Sequence, residues 1–319
     1  MSAAVVATVL LAGCAAAPPL VSDTPSPAAE AALIDTQAQA VIDDTFAQLA
    51  LADAAGDPEL FATRVVDDAA LVRAAEYKVK AAVAEANIST LPSQMQGIYV
   101  SRSDTWPRVL AAVSEQPEDN LTPIVYLWVQ ESIEEPYVLV DWAHMVPGAV
   151  LPAMPGAVSG AESLLLGEDG VDPSPRTALE DYVEYLRQGA DSELAASFVP
   201  DTYAEQLFGA RAALVEAASK AAGAYVDTIQ PELDNTFALS TSDGGALIFA
   251  PVQISSSFSV SDATLTLSAR DVPLLEGSAS SRVTYHYRDF VVLSVPPPGL
   301  DQLPTVVAAE HHLVTIKPE

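Results

Sequence analysis

Two stretches of the chain, DPELFATRVVD at 57–67 and DSELAASFVPD at 191–201, lie 134 residues apart and agree at Asp57/Asp191, Glu59/Glu193, Leu60/Leu194, Ala62/Ala196, Val65/Val199 and Asp67/Asp201. A chain that repeats itself at that distance has to build one kind of unit twice, and 319 residues suffice for two units of ordinary size. The flanking pattern extends the repeat. Before the first stretch, Ile34, Ala38, Val41, Ile42, Thr45 and Leu49 recur at helical spacing. Before the second, Leu179, Tyr182, Val183 and Leu186 do the same, with Gly189 following as a C-cap. After the first stretch, Asp67 is placed to N-cap a helix running to about Ala86. After the second, Thr202 and Glu205 have capping-box spacing before a helix ending near Gly223.

Each half then turns to strand-like segments. The first offers GIYV, RVLAAVS, PIVYLWVQ and YVLVDWAHM; the second offers NTFALST, ALIFAPVQISSSFSV, RVTYHYRDFVVLSV and VVAAEHHLVTI. Val283, Tyr285 and Tyr287 alternate with Arg282, Thr284, His286 and Arg288, which predicts an antiparallel sheet with one buried side. The expected fold class is α+β: two tandem related domains, each with N-terminal helices followed by a curved antiparallel sheet. The boundaries read as 33–150 for the first domain, 151–175 for a Pro-, Gly- and Ser-rich linker, and 176–319 for the second domain.

The element order resembles that of NTF2-like (cystatin-like) domains, in which a curved sheet wraps a long helix. The resemblance implies a pocket between helix and sheet and no particular activity.

The only cysteine, Cys14, stands at the end of the apolar run VLLAGC, which is too short to span a bilayer. Leu11-Ala12-Gly13-Cys14 resembles the lipobox of bacterial lipoproteins, which implies that 1–13 is a signal peptide and that Cys14 carries the lipid. Residues 14–32 would then be the lipidated cysteine and a flexible Pro/Ala tether. Two acyl chains on one thioether anchor a protein stably where one chain would not. Together with YVSRSDTWPRVLAAVS at 99–114 and MVPGAVLPAMPG at 145–156, the lipobox makes the chain similar to uncharacterised actinobacterial cell-envelope lipoproteins. That resemblance places it on the extracytoplasmic face of the cell membrane, held by its lipid.

With 14 basic against 43 acidic residues, the net charge of −29 argues against nucleic acid as a partner. One cysteine allows no intramolecular disulfide, so burial has to supply the stability. No HExxH, CxxC, GxGxxG or P-loop occurs, and neither a metal nor a cofactor is expected. His311 and His312 are adjacent on a predicted strand and point to opposite faces. His312 reads as partly covered, and His286, between arginines, as solvated. Ser159 in GAVSG lacks the context of a nucleophile elbow. The aromatic runs VYLWVQ and VTYHYRDF read as strand core, with a cleft lining as the alternative.

One strand carries an acid/base candidate. In YVLVDWAHM, Asp141 shares a face with Leu139 and Ala143, while Trp142 and His144 take the other. If the Leu139 face looks inward, Asp141 is a buried acid; if the Trp142 face does, Asp141 is solvated and His144 is covered. The expected role is a non-catalytic binding or interaction module for a small molecule, a peptide or another envelope protein, using the cleft between two similar domains. The alternatives are an enzyme with an NTF2-like pocket using Asp141 or His144 as acid or base, and a purely structural scaffold.

Overall fold

The predicted helical stripes form helices because each has one apolar side to bury. In the computed structural model, which describes residues 30–117, 122–167, 173–261 and 263–319, α1 (Asp35–Ala55) buries Ala38, Ile42, Thr45, Leu49 and Ala52. Gly56, at φ 63°, ends it in the left-handed region. Cys14, the expected signal segment and the expected tether up to residue 29 lie outside the described residues. α3 (Pro175–Gln188) opens on Ser174, whose hydroxyl accepts the Thr177 N–H at 3.2 Å, with proline at the first helical position. It closes at Gly189. The two repeated stretches fold as 3-10 turns, Pro58–Phe61 and Glu193–Ser197, which deliver the chain into α2 (Asp67–Ala82) and α4 (Thr202–Lys220).

Both predicted caps move. Asp67 makes no cap: it is the first residue of α2, at φ 50°, and no side chain bonds that helix end. Tertiary pairing is the cause. The Leu139 N–H donates to the Arg64 carbonyl at 2.9 Å and the Val66 N–H to the Leu139 carbonyl at 3.0 Å, so the chain stays extended through Val66. Its counterpart Asp201 does cap α4, accepting the Ala204 N–H at 2.8 Å in place of the expected Thr202. The helices end at Ala82 and Lys220, short of Ala86 and Gly223.

The first sheet runs β1 (Met95–Val100), β2 (Arg108–Ser114), β3 (Ile124–Gln130) and β4 (Val138–His144), each antiparallel to the next. The second has β7 (Ala246–Ser259), β8 (Arg282–Val295) and β9 (Thr305–Pro318) in sequence. β5 (Ala224–Pro231) and β6 (Phe237–Ser240) pair with successive parts of β7's free edge. β5 is an unpredicted strand that follows α4 almost directly. Gly223 permits that entry, since a Cβ there would fall 1.8 Å from the Ser259 carbonyl oxygen.

The architecture is mixed α+β, with helices N-terminal to each open sheet. The expectation of one buried side is corrected. α1 and α2 cover one face of the first sheet, and the other face lies against the second sheet. Between the sheets Val109, Val125 and Leu127 meet Phe249, Phe290 and Val292. Buried on both faces, β2 and β3 are nearly continuous apolar runs. α3 and α4 cover the far face of the second sheet. On β8, Thr284 is buried despite its place on the predicted polar side, bonding Ser257 and Glu319.

Residues 151–175 are not a free linker along their whole length. The Ala161 N–H donates to the Val100 carbonyl and the Arg102 N–H to the Ala161 carbonyl, while the Leu164 N–H donates to Ala238 and the Ser240 N–H to Glu162. This segment stitches the end of β1 to the edge of β6. Ala31 joins it through the Val158 carbonyl, and Ala32 and Glu30 bond Ser101 and Ser103. No described helix is long and apolar enough to cross a membrane.

Candidate functional site

The acid/base strand β4 carries an irregularity that decides what its side chains face. Opposite β3 the register passes from Leu127↔Asp141 to Trp128↔Leu139, leaving Val140 as an extra residue. The bulge puts Leu139 and Trp142 into the same helix-side core. Asp141 is therefore buried, at 3 % exposure, although Trp142 is buried too, and His144 is half-buried. The two readings of the strand were exclusive only while its alternation was unbroken.

Asp141 lies where the halves meet. Its Oδ1 accepts the Trp142 N–H at 2.9 Å, and its Oδ2 is buried with no hydrogen-bond partner. Burial pushes its pKa well above the carboxylate range, and the nearby Asp68, Asp289 and Glu310 carboxylates add to the rise. Asp68, in the first turn of α2, stands 3.0 Å from the Arg288 Nε of β8. Burial nevertheless pushes Asp68 up to about 7, with Arg288 opposing and Glu232 assisting. The His144 Nδ1 lies 2.8 Å from Glu310 on β9, and that hydrogen bond raises the imidazole's pKa against the effect of burial. Burial acts upward on Glu310, but the His144 hydrogen bond and the positive charge of His312 and His144 outweigh it and hold that carboxyl below its usual value.

A second group continues the network. Asp289, fully buried, accepts from the Tyr203 hydroxyl at 2.6 Å and lies 2.7 Å from the His311 Nδ1. The His311 ring stacks on Tyr287 with centroids 4.0 Å apart. His312 faces the Trp142 ring and Glu310, its buried Nε2 3.7 Å from the Glu310 carboxylate and without a hydrogen bond. Among the described residues two charged pairs cross between the halves: Asp68 with Arg288, and His144 with Glu310. Such an arrangement can hold or release one half against the other according to its protonation. Among the described residues no three His, Cys, Asp or Glu side chains gather as a metal ion would require.

The remaining sequence candidates are elsewhere. His286 is half-buried and 3.0 Å from the Ser255 hydroxyl; burial, with Lys317 and Arg288, lowers its pKa. Ser159 is exposed and donates to the Gly156 carbonyl. Tyr126 and Trp128 of VYLWVQ are interior, the indole N–H of Trp128 donating to the Thr45 hydroxyl at 3.0 Å.

A cleft of about 760 Å³ opens between the β1–β2 loop, the stitch and β6. Trp106, Pro107, Leu164, Leu165 and Phe237 give it an apolar lining. Trp106 is 40 % exposed, and the Arg108 guanidinium stacks 4.0 Å from its ring centroid. Its polar side chains are those of Thr105, Glu162, Ser163, Asp234, Thr236 and Ser240. Ser163 Oγ is buried without a partner, Glu162 pairs with Arg102 at 3.1 Å, and Asp234 is exposed. An apolar cavity of this volume with a few convergent polar groups suits a small molecule. A cleft between the halves was expected from the sequence, but its residues were not named. The available signal was an aromatic residue in the polar loop SDTWPR.

Asp68, Asp289, Glu310 and Arg288 were also not singled out as candidates, because each takes its place in the network from a partner on another element. No curated protein and no solved structure matches the chain. Residues 29–315, however, match a family described as Domain of unknown function (DUF8094), and the chain belongs to that family.

Proposed function

We propose that this protein is a lipid-anchored binding module of the bacterial cell envelope, held through Cys14, whose NTF2-like halves bind a small apolar-bodied ligand in the cleft between them. The observation that carries the reading is the cleft itself: about 760 Å³, lined by Trp106, Leu164, Leu165 and Phe237. Charge completes the recognition. The rim carries Glu162 and Asp234, so a guest with a hydroxyl or cationic end fits better than an anion. Acid/base catalysis by Asp141 or His144 has less support. Asp141 is 3 % exposed, and neither residue lines this cleft.

The test is native mass spectrometry of the full chain purified from its host, followed by titration of whatever is recovered. Trp106 is a surface residue, so Trp106→Ala should leave the thermal midpoint unchanged. It should weaken binding by roughly tenfold or more, as expected for an aromatic anchor. Full retention of the ligand by Trp106→Ala would remove the cleft from the account.

A further inference from the structure

Where the chain leaves toward its anchor, the described structure exposes several large apolar side chains. Residues 1–29 join the fold at Glu30–Ala32, which bond Ser101 and Ser103 of the β1–β2 loop and the Val158 carbonyl of the stitch. Beside this junction stand Ile34 at 63 % exposure and Val158 at 81 %, and the neighbouring cleft adds Leu165 at 64 % and Trp106 at 40 %. Trp106 and Leu165 also form the rim of the cleft. An exposed tryptophan steadied by a stacked arginine has the amphipathic character of a headgroup-level anchor.

We propose that these four side chains rest on the phospholipid surface when Cys14 is anchored, so that the cleft opens toward the bilayer. This rests on the lipid-anchored reading above. The 16 residues that follow Cys14 up to Glu30 reach at most roughly 60 Å when fully extended. The rim is therefore held at high effective concentration against the surface, and a few partly inserted side chains suffice where free protein would not bind. The contact is apolar rather than electrostatic. Near the junction Glu30, Asp35, Asp104 and Glu162 outnumber Arg102 and Arg108, and the whole chain carries −29. It therefore favours zwitterionic over anionic lipid.

The three tryptophans make the contact measurable. Trp128 and Trp142 are sealed at 0 % and 1 % exposure, so a quencher confined to the bilayer reads Trp106. The full chain, produced without lipidation so that its single cysteine, Cys14, carries a free thiol, is coupled to phosphatidylcholine vesicles through a maleimide headgroup. Acyl-chain-brominated vesicles should dim the tryptophan emission relative to plain ones. Trp106→Phe should abolish that difference, and replacing half of the lipid with phosphatidylglycerol should reduce it at least twofold. Equal emission from brominated and plain vesicles overturns the contact, as does quenching that persists in Trp106→Phe. The anchor is read separately, by whether Cys14→Ser leaves the membrane fraction in cells. Either result of that arm leaves the vesicle measurement interpretable.

Discussion

Gly160 shows how a single residue of an apparent linker can be a structural constraint. It adopts φ 64°, and a Cβ there would lie 2.9 Å from the Ala31 Cα and 3.2 Å from the Val100 and Ser101 carbonyl oxygens. Three backbone segments cross at this point, and only a glycine has room for them. Gly160→Ala should cost about 1–3 kcal/mol, from positive-φ strain and a displaced crossing. Urea unfolding of the full chain measures it, and a loss under 0.5 kcal/mol would mean that the crossing yields freely. In the sequence, GAVSG could be read only as loop composition, because the crossing segments come from near the N-terminus and from β1. Asp289 was illegible for the same reason. It sits in the apolar run RDFVVL, and its partners are Tyr203 on α4 and His311 on β9. Residues in helical stripes, by contrast, carried their own evidence: Leu179, Tyr182, Val183 and Leu186 are all fully buried.

At the scale of the element, the bulged β4 brings Asp141 and His144 to the junction of the halves, beside titratable groups whose pKa values are shifted by burial and by one another. A carboxyl whose pKa is raised by folding binds its proton more tightly in the folded state. Its folded-state advantage is whole below the unfolded pKa and is lost as pH rises toward the folded one. For Asp68 this window runs from the ordinary 3.8 to about 7. Asp141 shifts in the same direction, through burial. His144 is raised by its bond to Glu310, so its contribution is whole below 6.5 and fades as pH climbs through its folded value. Glu310, lowered, acts oppositely and limits the acid side, losing its contribution as pH falls through its folded value. The junction should therefore be tightest in mildly acidic solution and loosen toward alkaline pH. Asp141→Asn keeps the shape and cannot ionise. At pH 9 it should raise the unfolding free energy, and at pH 4 it should change little. Denaturant unfolding at the two pH values decides, and a variant no more stable than the natural chain at pH 9 would show that Asp141 bears no charge cost. The strand was legible in YVLVDWAHM, but the bulge was not. Strict alternation offered two exclusive faces, and only pairing with β3 revealed a third arrangement.

For the whole molecule, the repeat revealed two units but concealed how much they share. The double-sided burial of β2 and β3 was present in RVLAAVS and IVYLWVQ as uninterrupted apolarity, yet apolarity alone does not identify the covering layer. That layer is the second sheet, and the sharing goes further. Leu274, Val283, Val314 and Ile316, all from the second half, complete the core that α1 and α2 form on the first sheet. A segment comprising only 33–150 lacks these side chains and exposes the face that meets Phe249 and Phe290. Fully burying one such side chain contributes roughly 1.5–3 kcal/mol, so removing four exceeds a large part of the stability of an ordinary domain. Residues 33–150 expressed alone should lack a fixed near-ultraviolet circular dichroism signal from Trp128 and Trp142. The full chain should unfold in one transition, coincident by fluorescence and far-ultraviolet circular dichroism. A sharp cooperative melt of 33–150 by itself would make the halves independent domains that merely touch. In that case the buried charges at their junction would report docking rather than folding, and the pH dependence of β4 would appear in the separation of the halves, not in the unfolding of the chain.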